Sequence, residues 1–345
     1  MGWQELFDGL KMGAKQMSNK AKVVLTDYVW DNLDVENEIL GDIADIVAIQ
    51  KTDPDDFFPE AADCDALLNT YGGPITAEVM ARMPKCKIIS RYGIGVDTID
   101  LKAATEAGII VTNNPTYCVE EVAEHTVAML LTAARKTAFY DRLVRSGKWE
   151  VTPGKPIIRL AGSTVGLIGF GNIARRVAVA LNGLGMKVLY SDPFVEQGQF
   201  DVPGQKVELN AMLESSDFVC IHAPLMPQTR HMISTNEFKL MKNHAILVNC
   251  SRGPIINTDA LVEALDNKEI AGAALDTTDP EPLPNPHPLR DRDNVIINPH
   301  SAWYSEEAMI RLQKGAPSEV ALALRGERPI NVVNKDVIGK SRAGI

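Results

Sequence analysis

The chain has 345 residues, 45% apolar and 23% charged; this excludes wholesale disorder and gives length for two domains. A chain of this size buries roughly three quarters of its unfolded surface, so it needs no disulfide staples. Thirty-five basic against 45 acidic residues leave a net charge of −10 with no basic stripe, which argues against a nucleic-acid partner because phosphates are neutralised by clustered Lys and Arg. No apolar run approaches the ~18–20 residues of a membrane helix, so no membrane partner is expected. The five cysteines, Cys64, Cys86, Cys118, Cys220 and Cys250, form no C-x-x-C pair. Neither a metal site nor a disulfide framework is expected, and a reducing cytoplasm fits.

Residues 1–20 form a mixed-charge leader in which Trp3, Leu6, Phe7 and Leu10 recur at helical spacing, as in a docked surface helix or an oligomer contact. From residue 22 the chain alternates. Strands are expected at 22–29, 45–51, 66–71, 87–92 and 109–114, with short helices at 76–83 and 100–108. Near-continuous apolar strands between helices imply parallel strands covered on both faces. A long helix follows at 119–136, apolar almost all round and so expected to be buried on more than one side. A second alternation places strands at 163–170, 187–192, 218–223, 245–251, 270–277 and 294–300, joined by helices at 172–185, 207–215, 235–241 and 258–267. Six strands with crossover helices describe a doubly wound sheet. The Pro-dense stretch 279–289 is a rigid loop, and a last helix over 306–326 is expected to break near Gly315 and Pro317.

The strongest local motif is Gly169-Phe170-Gly171-Asn172-Ile173-Ala174, a G-x-G-x-x-A between a strand and a helix. Gly169 permits the tight turn, Gly171 lets backbone approach a pyrophosphate, and Ala174 allows close helix–sheet packing. The phosphates then sit on a helix N-terminus, where free N–H groups favour anions. Asp192 ends the next strand, 23 residues beyond Gly169, as a ribose-binding acid should. Its charge repels a 2′-phosphate and no Lys or Arg occurs from 188 to 205, which favours NAD over NADP. At the later strand ends stand His222, Arg252, Asp276 and His300, with Glu281 in the loop beyond. Arg offers a planar fork to a carboxylate and polarises a carbonyl. His exchanges the alcohol proton, and Glu orients that His. Such a set suits hydride transfer to a 2-oxo acid, with the redox chemistry carried by the cofactor. His125 reads as a hydrogen-bonded core residue, and His231, His244 and His287 are assigned nothing.

Over residues 22–335 the sequence resembles the D-isomer-specific 2-hydroxyacid dehydrogenase family, through VGLIGFGNIA, NCSRGPIIN (249–257), ALDTTDPEPLP (274–284) and NVIINPHSAW (294–303). The resemblance implies that Arg252, Glu281 and His300 are catalytic. It places His222-Ala223-Pro224, Thr229, Cys250, Ser251, Arg252, Asp276 and His300 against the cofactor, beside Gly169, Phe170, Gly171, Asn172, Ile173 and Asp192. It also matches the family's substrate carboxylate loop to Arg91-Tyr-Gly93-Ile94-Gly95-Val-Asp97. Within the family, 299–308 and 331–336 resemble the C-terminal-binding proteins, NAD-binding corepressors in which a Trp after the catalytic His lines the substrate pocket; Trp303 matches it, and Arg91 matches that branch's substrate-contacting Arg. Tyr71 and Gly72 are expected to close the other side of that pocket. The usual Thr-Ala before the catalytic Arg is Cys250-Ser251 here, and the usual Val-Phe after the strand-end Asp is Thr277-Thr278. Where phosphoglycerate dehydrogenases carry an Arg this chain reads Asn-Thr-Tyr-Gly-Gly, which tells against a phosphorylated substrate.

The expected fold is therefore α/β with two Rossmann-like domains: a doubly wound, parallel-sheet NAD domain at 119–304 inserted in a flavodoxin-like substrate domain at 21–118 and 305–345, with the cleft between them. The expected activity is NAD-dependent reduction of a 2-oxo acid to the D-2-hydroxy acid, and the reverse, in a cytoplasmic homodimer without metal. A hydroxypyruvate or glyoxylate reductase and an NAD-sensing, corepressor-like dimeric scaffold are the alternatives.

Overall fold

The computed structural model describes residues 20–345, so the leader expected at 1–20 lies, Lys20 apart, outside the described residues. The chain divides into two units. Residues 118–305 are continuous and form one; the described residues before and after them form the other.

The first unit opens with β1 (Ala21–Leu25), α1 (Asp34–Leu40), β2 (Ala44–Ala48), α2 (Pro54–Ala61), β3 (Ala66–Asn69), α3 (Ala77–Ala81), β4 (Ile88–Arg91), α4 (Leu101–Glu106) and β5 (Ile110–Thr112). Its strands are all parallel, in the order β2-β1-β3-β4-β5, which is the flavodoxin-like arrangement. Val24, Leu67, Ile89 and Val111 point from the sheet into a core shared with Phe57, Met80 and Met83. Parallel strands need helical crossovers, and covering both faces leaves no room for polar alternation; β3 and β4 are buried at every position.

The second unit begins with α5 (Val119–Arg135) and α6 (Thr137–Arg145), then β6 (Thr164–Ile168), α7 (Asn172–Gly183), β7 (Lys187–Ser191), β8 (Gln205–Lys206), α8 (Leu209–Ser215), β9 (Phe218–Ile221), α9 (Thr235–Leu240), β10 (Ile246–Asn249), α10 (Thr258–Asp266), β11 (Gly272–Leu275) and β12 (Val295–Ile297). Its seven parallel strands run β12-β11-β10-β9-β6-β7-β8. The order reverses at β6, which pairs with β7 on one side and β9 on the other. Ligands of doubly wound sheets bind at such a switch point, outside the carboxyl ends of the strands. The chain then returns to the first unit as α11 (Glu306–Leu324), which packs on α1, β3 and β4.

Several elements differ from the sequence reading. Helices α1, α2 and α6 and the two-residue β8 were not expected. For α2 the start signal is present: Asp53 caps it by accepting from the Asp55 N–H, and Pro54 takes the first helical position. Pro59 and the surrounding acids hide the rest. Helix α11 does not break at Gly315 and Pro317. Its residues from Gly315 to Ala323 are all buried, and the Ala316 carbonyl accepts a 3.0 Å bond from Ser90 Oγ on β4. Packing outweighs the missing proline N–H. Helix α5 buries one stripe, Val122, Thr126, Met129, Leu130 and Ala134 among it, while Val127 and Leu131 stay half-buried and Ala128 exposed. Most strands also stop short of their expected carboxyl ends, because the polar residues there belong to the loops that carry the site.

One buried carboxyl sets a pH dependence of stability. Glu36 on α1 is fully buried and accepts a 3.2 Å bond from the Tyr92 hydroxyl. Burial, reinforced by Asp34, pushes its carboxyl from the 4.5 of an ordinary Glu up to about 7, against the opposing effect of its hydrogen bonds. The native state therefore holds a proton that the unfolded chain releases, so stability falls as pH rises from about 4.5 to about 7 and then levels off. At ~1.4 kcal/mol per pKa unit the loss is on the order of 3 kcal/mol. Glu36→Gln keeps an acceptor for Tyr92 and is expected to raise Tm above wild type at pH 8 but not at pH 4; thermal melts at the two pH values check it.

Candidate active site

The glycine turn leaves β6 at the switch point. Gly169 has φ +86°, and a Cβ there would stand 3.0 Å from the Ala223 nitrogen and the His222 carbonyl carbon, so only glycine passes. Gly171 is the N-cap of α7 and supplies no side chain to its free N–H groups. A Cβ at Gly171 would meet nothing within 4 Å. The turn thus leaves open space over bare helix N–H donors, the kind of cradle a pyrophosphate fills. Ala174 is fully buried on the sheet side. Asn172 and Ile173 open the helix, with Asn172 Oδ1 accepting from Arg175 Nη2. Phe170 stacks on Tyr190 at 3.9 Å, and its N–H donates to Asp192 Oδ2 at 2.7 Å. The second Asp192 oxygen accepts from the Phe194 N–H at 2.8 Å. The acid expected to read the ribose is therefore pinned beside the turn. Replacing Asp192 with Ala removes like-charge repulsion of a 2′-phosphate, which is worth several kcal/mol at close range. The NADP/NAD ratio of kcat/KM is expected to rise at least about tenfold, ~1.4 kcal/mol; steady-state kinetics with both cofactors check it, and an unchanged preference removes Asp192 from ribose selection.

Beyond β9, the His222 N–H donates to the Ile168 carbonyl at 2.8 Å. Its Nε2 is buried without a hydrogen-bond partner among the described residues, and burial pushes the ring pKa down to about 4, so the imidazole is neutral at pH 7. A buried, unsatisfied ring nitrogen beside the glycine turn wants a polar ligand atom. Ala223 carbonyl accepts from Ser251 Oγ at 2.5 Å, and the Pro224 carbonyl accepts from Thr229 Oγ1 at 2.7 Å. Cys250 turns its thiol to within 3.6 Å of Met129 Sδ on α5, and burial pushes that thiol up to about 12, which keeps it protonated.

The catalytic candidates come together through their loops. Asn249, the last residue of β10, is fully buried; it donates to the Arg252 carbonyl at 2.9 Å and accepts from the Ser251 N–H at 3.0 Å. This fixes the 250–252 backbone that presents Arg252. Any Cβ at Gly253 would collide with the Thr278–Asp279 backbone, so glycine alone lets the Arg252 loop lie against the loop that leads to Glu281. Asp276 follows β11 and is buried. Its carboxylate accepts from the Ser301 and Ala302 N–H groups, both at 2.9 Å, while its carbonyl accepts from the His300 N–H at 2.8 Å. Held this way, His300 adopts φ +54°, and its Nδ1 lies 2.6 Å from Glu281 Oε1. His125 of α5 is half-buried rather than core, with Nε2 2.9 Å from Asn298 Nδ2 and 3.5 Å from Asp276 Oδ1. Trp303 meets Tyr304 edge-on at 5.6 Å, beside this turn.

Known proteins are similar to this one over most of the chain. The NAD-binding-domain model of the D-isomer specific 2-hydroxyacid dehydrogenases matches residues 127–302. A glyoxylate reductase of Korarchaeum cryptofilum is 41% identical over 281 residues, 80% of this chain and 84% of that protein. The chain belongs to the D-isomer-specific 2-hydroxyacid dehydrogenase family. A hydroxypyruvate reductase of Blautia hydrogenotrophica is 32% identical over 314 residues, 90% of this chain and 96% of that one. A crystal structure of D-lactate dehydrogenase from Aquifex aeolicus, complexed with NAD and lactic acid, superposes with a TM-score of 0.81 at 27% identity, covering 92% and 98% of the two chains. The protein is an NAD-dependent oxidoreductase acting on CH–OH groups, interconverting D-2-hydroxy acids and 2-oxo acids. No helix among the described residues is long and apolar enough to cross a membrane.

In the first unit of this dehydrogenase, Arg91 closes β4 directly opposite Asn69, the last residue of β3. The Arg91 guanidinium carbon lies 5.9 Å from the centre of the Tyr71 ring, and Nη1 donates to the Tyr92 carbonyl at 3.0 Å. Gly93 leaves its Cα face toward that guanidinium, 3.7 Å from where its Cβ would be. Ile94 is tethered by Asn113 Nδ2, which donates to its carbonyl at 2.7 Å. Gly72 sits in the Tyr71 loop. Asn249 and Gly253, which aim Arg252, were missed by sequence reasoning; the Asn and Gly flanking this chain's Cys250-Ser251-Arg252 were the available signal.

Proposed function

We propose that the dehydrogenase reduces a short 2-oxo acid through Arg252, Glu281 and His300. The observation that carries this reading is the 2.6 Å contact between His300 Nδ1 and Glu281 Oε1 at the carboxyl end of the NAD-binding sheet. With its Nδ1–H committed to the carboxylate, the imidazole exchanges its other proton at Nε2. Arg252 receives the substrate carboxylate and polarises the carbonyl oxygen. NADH supplies the hydride to the carbonyl carbon. His300 gives the oxygen its proton, so that one hydride and one proton convert the ketone to the alcohol; in the reverse direction the imidazole removes the hydroxyl proton. Glu281 holds the ring orientation and stabilises the imidazolium when it forms. The chain residues that hold NAD on this reading are the 169–173 turn, Asp192, the 222–224 segment with Thr229, the 250–252 loop and Asp276. Arg91, Tyr71, Gly72, Gly93, Ile94 and Trp303 contact the substrate. On this reading residues 119–304 make up the NAD-binding domain, and residues 21–118 with 305–345 the substrate-binding domain.

Relatives named glyoxylate reductase and hydroxypyruvate reductase support a small acid. Asn-Thr-Tyr-Gly-Gly at 69–73 offers no cation to a phosphate. The second reading is the cofactor-sensing scaffold of the corepressor branch, whose substrate-pocket Trp is matched in sequence by Trp303. A homodimer is supported by the apolar residues that α5 leaves uncovered and by the exposed Val144, Trp149 and Val151 beyond it. Five buried free cysteines fit a cytoplasmic enzyme. NADH oxidation against glyoxylate, hydroxypyruvate, phosphohydroxypyruvate, and branched, thioether and aromatic 2-oxo acids tests the reading. Saturable turnover at ~1–10³ per second on a small acid is expected; tight NADH binding with feeble rates on every acid would favour the scaffold.

A further inference from the structure

Asp27 follows β1 in an unremarkable Thr-Asp-Tyr-Val stretch and carries no motif. It is 5% exposed. Its carboxylate accepts three successive backbone N–H groups: Thr70 at 3.2 Å and Gly72 at 3.0 Å on Oδ1, and Tyr71 at 2.6 Å on Oδ2. The Thr26 hydroxyl adds a fourth donor to Oδ1 at 2.6 Å. Two more bonds tie the loop: Thr70 Oγ1 donates to the Asp27 carbonyl at 2.6 Å, and Asn69 Nδ2 donates to the Gly72 carbonyl at 2.6 Å. The fit is close, because a Cβ at Gly72 would press on Asn69 Nδ2, Thr26 Oγ1 and Asp27 Oδ1 at 3.0–3.1 Å. Three consecutive N–H groups curled round one point form an anion nest. Here the protein fills the nest with its own carboxylate, through charge-assisted bonds.

Two consequences follow for this loop. The Tyr71 and Gly72 amides are committed to Asp27, so they are not donors for a substrate carboxylate. What the loop offers instead is a placed side chain: the Tyr71 ring, 5.9 Å from the Arg91 guanidinium. We propose that Asp27 is a positioning residue for substrate, fixing the Thr70–Gly72 backbone so that the Tyr71 ring and the Arg91 fork form one preset anion-binding face. The proposal rests on the reading of Tyr71 and Arg91 as substrate contacts.

The test uses the full chain, NADH and the fastest acid of the panel, with Asp27→Asn, Tyr71→Ala and the double variant. Loss of preset geometry is expected to raise KM for the acid between about 10- and 100-fold in Asp27→Asn. The kcat should change less than about twofold, and NADH affinity should hold, because the loop takes no part in the chemical step. The dissociation constant of oxamate, a non-reducible mimic of a 2-oxo acid, should rise in parallel on the NADH-bound enzyme. Because both changes act on one face, the double variant should be no worse than the poorer single variant. An unchanged KM in Asp27→Asn alongside a raised KM in Tyr71→Ala overturns the positioning role alone. A lowered KM in Asp27→Asn shows the freed amides to be the true carboxylate donors and overturns it as well. An unchanged KM in Tyr71→Ala removes the substrate reading of the loop and the proposal with it. If Asp27→Asn does not fold, Asn69→Ser, which cuts the loop's other tether, is read by the same KM and oxamate criteria.

Discussion

Replacing His300 with Ala is expected to lower kcat roughly 10²–10⁴-fold, the range for losing a general acid–base group, while NADH binding measured by fluorescence titration stays at the wild-type value. The separation follows from the geometry. The imidazole is held through Nδ1 by Glu281, and through its backbone N–H by the Asp276 carbonyl. Removing the ring takes away the proton donor but leaves the Asp276 clamp on Ser301 and Ala302, so the turn persists. Steady-state rates with the fastest 2-oxo acid, compared over pH for the two enzymes, check the assignment. An undiminished kcat would remove His300 from proton transfer.

The second large effect is expected at Arg252. Arg252→Ala should reduce kcat/KM by about 10²–10³, as for loss of one preorganised charge-stabilising donor, with KM for the acid rising as well. Arg252→Lys retains charge but loses the planar fork, so it should recover only part of the loss. Asn249 and Gly253 position the loop from its two ends, which is why a lysine placed there inherits the location and not the geometry. Initial rates over a matrix of acid and NADH concentrations separate the two variants. Full recovery by Lys would mean that a point charge suffices and that no bidentate contact is made.

The alternation of strands and helices was legible because a parallel sheet covered on both faces writes itself as apolar runs, and β3, β4, β9 and β11 are buried at every position. The glycine turn was legible because close approach and a left-handed φ admit few residues. The proposed catalytic set stood out in the sequence as residue types at strand ends, and the family resemblance suggested a role for each. What stayed hidden was the work of ordinary residues at those same ends. Asp192 and Asp276 were assigned to the cofactor, yet each also accepts backbone N–H groups from a neighbouring loop, and Asp27 does so with no motif to mark it. All three occupy the first position or two after a strand, where loop amides converge and a short carboxylate can reach them. A hydrogen bond between residues 43 or more apart leaves no local pattern. The continuity of α11 was hidden for the same reason, since Ser90 and the burial that sustains it come from far upstream.

The split course of the chain also has a consequence for synthesis. Residues 118–305 are contiguous and can close their sheet as soon as they emerge. The first unit cannot, because α11 supplies the cover for β3 and β4, Val332 bridges to Thr112, and Asn334 receives the Val111 N–H. At ~5–20 residues per second, the intervening stretch keeps the early strands waiting on the order of ten seconds or more on the ribosome. For that interval a largely apolar face of a parallel sheet, with Ser90 and Thr112 upon it, stands open, a natural client surface for a chaperone that holds nascent chains. Circular permutation placing α11 ahead of β1 would let both units be finished in the order in which they are made.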